Sequence, residues 1–220
     1  MGLGNELKDK MAMRAAKEVK ENMIVNLGIG IPSLVPNHLP PKFPVVFQSE
    51  NGIIGIGPAP VTGAEDENLC NAGGFPVSLM DGGCYTDSSI AFAMIRRGKI
   101  DLTILGSLQV SEKGDLANWI IPGKKVPGMG GATELASKAK KVIVLMTHLD
   151  KQGGSKVVRE CTLPLTAGRC VSMIITDRAV FTIKENQLFL IEIFHPFTIK
   201  DIEESTEARF SLSPEIRYIR

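Results

Sequence analysis

The 220 residues are 44% hydrophobic, enough to build a full core, and we read residues 1–220 as a single domain. Twenty-five basic residues against 24 acidic ones leave a net charge of +1, so no broad field exists to hold nucleic acid or an anionic membrane. The N-terminal stretch MGLGNELKDKMAMRAAKEVKEN is charged throughout, and no apolar run approaches the roughly 20 residues needed to cross a bilayer; a cytoplasmic protein without membrane or nucleic-acid partners is expected.

In chain order, Leu7, Met11, Ala15, Val19 and Met23 recur every fourth residue between charged positions, which predicts an amphipathic helix over about 5–22. MIVNLGIGIP then reads as a short buried strand ending in a glycine-rich turn, with Pro32 and Ser33 opening a further helix. PVVFQSENG is expected to repeat that strand–turn–helix pattern, Val45 and Val46 feeding a turn at Asn51 and Gly52. Apolar runs at 100–107, 141–148 and 171–177 have the length of central strands. Helices are predicted at 87–98, capped by Asp87, and at 133–141, opened by Thr133. AVFTIKENQLFLIEI alternates on both sides of Glu185-Asn186-Gln187 and predicts a hairpin at the sheet edge. Strands alternating with helices imply an α/β fold, a mostly parallel open sheet covered on both faces.

The metal-ligating residue types are scattered. Cys70, Cys84, Cys161 and Cys170 match no zinc or CxxC spacing and read as buried or incidental thiols, while His38, His148 and His195 form no HxxH or HExxH pair. No metal is expected.

In an open parallel sheet, ligands gather beyond the carboxyl ends of the strands. Three glycine-rich turns should fall there: NLGIGIP (26–32), SENGIIGIGPAP (49–60) and IPGKKVPGMGGA (121–132). Their glycines permit close backbone approach, and helix-initiating N–H groups can hold an anion or a developing oxyanion. Gly28, Gly30, Asn51, Gly130 and Lys124 are therefore candidates for binding a ligand. Each has a plainer reading: glycines end strands in every α/β protein, and GIGIP lacks the GxGxxG pattern. Lys124 and Lys125 could neutralise phosphates or simply be solvated. Glu50, alone between an apolar run and a turn, could pair with a cation or cap a helix.

FQSENGIIG, ANWIIPGK and GMGGA resemble the corresponding stretches in the β subunit of the family I coenzyme A transferases, the 3-oxoacid and acetoacetate group. The resemblance extends over nearly the whole chain through NLGIGIP, LCNAGG, CTLPLTA and ITDRAVF. DGGCYTDSS, IRRGK and MTH depart from the family pattern without touching the Glu50 and Gly131 surroundings. The resemblance implies the CoA-transferase fold, related to sugar-phosphate isomerases, with Glu50 as covalent nucleophile and the Gly131 N–H as half of an oxyanion hole. It also implies coenzyme A as co-substrate with no tightly bound cofactor, and small acids and acyl-CoA as ligands. An α subunit is the implied partner, in an α2β2 assembly. Such chemistry accounts for a glutamate without a histidine, because an ionised carboxylate attacks without a base and a thiolate leaves without an acid. Two other functions stay open: an acyl-CoA hydrolase, and a non-catalytic ligand sensor on the same fold.

Overall fold

The computed structural model describes residues 4–123, 126 and 128–219. The chain runs α1 (Asn5–Ala16), β1 (Ile24–Leu27), a 3-10 segment (Ile31–His38), β2 (Val46–Ser49), β3 (Ile53–Ile56), β4 (Leu79–Tyr85), α2 (Ser88–Arg96) and β5 (Leu102–Gly106). It continues through β6 (Gln109–Ser111), β7 (Leu116–Ala117), α3 (Ala132–Lys138), β8 (Val142–Leu145), β9 (Val157–Val158), β10 (Met173–Ile175), β11 (Ala179–Lys184), β12 (Gln187–Phe194), α4 (Ile199–Ser205) and β13 (Ser211–Ile219). Ten strands form one sheet in the order β13-β12-β11-β10-β8-β5-β1-β2-β3-β4, and β7-β6-β9 form a small second sheet.

The centre, β2-β1-β5-β8-β10, is parallel. Its strands are short apolar runs buried on both faces, Val142–Leu145 being buried at every position, as a doubly covered parallel sheet requires. Alternation sends Val25, Phe47, Leu102 and Ile143 into a core that packs against Met11 and Ala15 of α1. Ile95, Leu105, Leu135, Val144 and Ile174 enter a second core on the opposite face, with α2, α3 and α4. Arg14 of α1 binds Glu192 of β12 and donates to Glu18 at 2.8 Å, which ties the helix across the sheet.

Several local expectations change. After β2 the chain makes a hairpin instead of a helix: Gly52 N–H donates to Ser49 O at 3.0 Å, and β3 and β4 return antiparallel. Gly52 sits at φ +110, and a Cβ there would lie 2.1 Å from Thr86 O, so the turn tolerates only glycine. Beyond it, Ile-Ile-Gly-Ile has the β-branched composition of a strand. Helix α1 stops at Ala16, where Glu18 N–H and Val19 N–H bond back three residues and close turns. The segment at Pro32 is a 3-10 helix. Asp87 caps α2 as expected, its carboxylate accepting from Ser89 N–H at 2.8 Å. Thr133 does not cap α3; Gly131 holds that position. The Glu185–Asn186 hairpin forms with both residues at positive φ, but β13 pairs parallel to β12 and takes the edge. Cys70 and Cys84 are exposed, contrary to the buried reading, while Cys161 and Cys170 are half-buried; burial pushes both of the latter thiols up to about 12.

Candidate active site

Val46, Gln48 and Glu50 share one face of β2 by strand alternation, and Phe47 takes the other face into the α1 core. Glu50 follows the last residue of β2 and is half-buried. Its carboxylate is held from the neighbouring strand: Asn26 Nδ2 donates to Glu50 Oε2 at 3.1 Å. The same nitrogen reaches Gln48 Oε1 at 2.9 Å and Gln48 O at 3.2 Å. Turning the Asn26 amide over would set its oxygen against the carboxylate and both Gln48 oxygens, so these three acceptors together fix which way that amide faces.

The turn that leads into α3 also approaches Glu50. Gly131 caps this helix with φ −81 and ψ 0, and a Cβ built on it would stand 3.2 Å from Glu50 Cγ and 3.3 Å from Oε1. The absent side chain is what lets the turn approach. Gly130 precedes it at φ +49 with open space around its Cα, and Met129 O accepts from Ala132 N–H at 3.0 Å to close the turn.

A third segment, residues 69–75, flanks the same strand end. Ser49 Oγ accepts from Ala72 N–H at 3.1 Å, Asn51 Nδ2 donates to Cys70 O at 2.8 Å, and Asn71 Oδ1 accepts from Gly73 and Phe75 N–H to form a tight turn. A Cβ on Gly73 would meet both Ile29 at 3.0 Å and Phe75 at 3.2 Å. The NLGIGIP and LCNAGG turns therefore meet beside Glu50. Ile29 and Phe75 are nevertheless 63% and 55% exposed, so the rim of the site presents large apolar side chains to solvent.

Among the expected site residues, the structure brings Glu50 and Gly131 into contact. Asn51 and Gly130 lie in the adjoining turns, Asn51 with its amide engaged on Cys70. Gly30 caps the 3-10 segment at φ +90 with open space around it. Gly28 continues the β1–β5 ladder, its N–H donating to Ile104 O at 2.8 Å, and a Cβ there would be 3.2 Å from that oxygen. Close packing of two strands accounts for it. Lys124 lies outside the described residues. Sequence reasoning missed Asn26 and Gln48; the signal was an amide interrupting each of two apolar strands near its carboxyl end. Among the described residues, no cluster of three or more His, Cys, Asp or Glu could hold a metal, and no helix is long and apolar enough to cross a membrane.

The coenzyme A transferase family model matches residues 8–205. The chain belongs to the coenzyme A transferase family. It is 56% identical over 212 residues to a protein of Bacillus subtilis (strain 168) named probable coenzyme A transferase subunit beta, covering 96% of this chain and 98% of that one. It is also 47% identical over 218 residues to the human mitochondrial succinyl-CoA:3-ketoacid coenzyme A transferase 2; the match covers 98% of this chain and 42% of the human protein. Among solved structures, the apoenzyme of the acyl-CoA transferase YdiF from Escherichia coli O157:H7 superposes with a TM-score of 0.76 at 22% identity, over 100% of this chain and 44% of that one. That likeness establishes the fold. This transferase chain thus corresponds to a whole bacterial subunit and to less than half of each of the two longer proteins.

Proposed function

We propose that this chain is the nucleophile-bearing B subunit of an enzyme that moves coenzyme A from an acyl-CoA such as succinyl-CoA or acetyl-CoA to an acid such as acetoacetate. The observation that carries this reading is the Glu50 carboxylate at the carboxyl end of a central parallel strand, gripped between the Asn26 amide and the bare Cα of Gly131. Glu50 attacks the donor thioester carbonyl, giving a mixed anhydride and coenzyme A thiolate. The thiolate attacks the glutamyl carbonyl; a glutamyl-CoA thioester forms and the donor acid leaves. The acceptor carboxylate then attacks that thioester and the thiolate moves to the acceptor's acyl carbon, restoring Glu50. Each step exchanges one carboxylate or thiolate for another, with no net proton transfer.

A carboxylate is a weak nucleophile toward a thioester, so the barrier is lowered by remote binding of coenzyme A and by stabilising each tetrahedral oxyanion. Gly131 is the residue we assign to that second task through its N–H, supported by its position against Glu50. Gly30, Asn51, Gly130 and Lys124 are assigned to the surrounding coenzyme A surface on sequence position, whereas Gly28 is accounted for by the packing of β1 on β5. Anhydride and thioester intermediates hydrolyse in water, whereas this rim is open, with exposed Ile29, Phe75 and Met129. An α subunit covering that rim, in an α2β2 assembly, fits both facts. The reading is tested with Glu50→Gln in the assembled enzyme, which should keep the fold and lose essentially all transfer. Wild type given acyl-CoA without acceptor should carry a coenzyme A adduct on the Glu50 peptide, reducible by borohydride. An adduct mapping elsewhere, or transfer by the Gln variant at near-normal rate, refutes it.

A further inference from the structure

Gln48, Asn26 and Thr103 are register partners on three adjacent parallel strands, on the face that also carries Glu50. They are 2%, 1% and 0% exposed. The next strand supplies Val142 opposite Thr103, so the polar row ends where the distance from Glu50 grows. Among the described residues, the buried side-chain atoms with no hydrogen-bond partner are Asn26 Oδ1, Gln48 Nε2, Thr103 Oγ1 and Thr133 Oγ1. Three belong to this row, and the fourth is two residues beyond Gly131. Buried polar atoms left unpaired lower stability; aliphatic side chains like Val142 would serve the core better.

The satisfied half of the row points one way. Gln48 does not bond to the carboxylate. It offers Oε1 and its main-chain oxygen to Asn26 Nδ2, and that nitrogen offers itself to Glu50. Without Gln48 Oε1, the Asn26 amide keeps only the longer 3.2 Å bond to the Gln48 main-chain oxygen beside its bond to Glu50, so the donor that fixes the carboxylate is held less firmly. Resting on the reading of Glu50 as nucleophile, we propose that Gln48 is a positioning residue for coenzyme A transfer: through Asn26 it fixes the orientation in which the Glu50 carboxylate meets the reacting carbonyl. The row costs stability and supplies orientation, the exchange expected where a reacting group must be held within a fraction of an ångström.

The test uses the assembled enzyme with Gln48→Met, which keeps the length and removes both polar atoms, and with Gln48→Leu as a second apolar replacement. Four quantities are measured: kcat, KM for the acyl-CoA, Tm, and the rate at which the Glu50 adduct appears with acyl-CoA alone. The expected result is a fall in kcat of at least about 10-fold, an equal fall in adduct rate, KM within about two-fold of wild type, and a Tm no lower than wild type. Wild-type kcat in both variants overturns the proposal. A loss that tracks a lowered Tm, or one carried mainly by KM, also overturns it, since those outcomes describe packing or ground-state binding. Failure of wild type to form any adduct on Glu50 would instead remove the nucleophile reading, which separates the two claims.

Discussion

Replacing Gly131 by alanine adds one methyl group directly against the Glu50 side chain. Its Cβ would stand 3.2 Å from Glu50 Cγ, 3.3 Å from Oε1 and 3.4 Å from Cδ, and no other atom is nearer. Ordinary carbon contacts begin near 3.5 Å, so the carboxylate must withdraw by a few tenths of an ångström, which shifts it relative to its Asn26 donor at 3.1 Å. Misplacement by about 1 Å costs on the order of 100-fold in rate; a third to a half of that displacement corresponds to about 10-fold, or ~1.4 kcal/mol of transition-state stabilisation. Stability should move the other way or not at all. The backbone at φ −81 and ψ 0 suits alanine, and exchanging glycine at a compatible site stabilises by about 0.4–1 kcal/mol through the unfolded chain. Steady-state kcat of the assembled enzyme and a thermal melt together form the assay. Gly131→Val, with two further methyl groups, should lower kcat by another order of magnitude or more. Wild-type kcat in either folded variant would remove Gly131 from the site; a Tm collapse matching the lost activity would make it a structural glycine.

Expressed alone, the chain should fold but show essentially no transfer, and co-expression with its α subunit should restore activity in a stable hetero-oligomer; full activity of the purified lone chain would contradict this. Acid should destabilise the fold through His148. This side chain is fully buried between Thr176 and Thr206, and desolvation lowers it to about 4, with the Arg178 charge adding to the effect. The folded form therefore binds fewer protons than the unfolded one, so stability is intact above about 6.5 and is lost as pH falls from there toward 4. Linkage puts the loss at about 2 kcal/mol between pH 7.5 and 5, measurable by urea unfolding. In His148→Gln that increment should vanish, and an unchanged pH slope in the variant would assign the acid sensitivity to other groups.

The sequence was informative wherever one local stretch carried the physics. Apolar runs such as Val142–Leu145 had the length and composition of doubly covered strands, Asp87 stood where α2 needed an acceptor, and Glu185–Asn186 sat at positive φ in the hairpin that the alternation predicted. SENG marked Glu50 because the stretch resembles the coenzyme A transferase motif; a lone carboxylate at a strand end could as well pair with a cation or cap a helix. Local pattern failed where the deciding contact was remote. Nothing within Ile53–Ile56 says that it returns antiparallel; the closeness of Gly52 to Thr86, more than thirty residues later, does. Strand β13 is exposed along most of its length, so it carries no two-residue alternation to read. Asn26 and Gln48 look like flaws in apolar strands until β1 and β2 pair in register and bring both amides to Glu50. The sequence by itself marked Glu50 and the glycine turn, through their resemblance to coenzyme A transferase motifs. Only the tertiary structure set them in contact and showed what holds the carboxylate, because those partners meet through sheet register and helix placement, which no short window of sequence encodes.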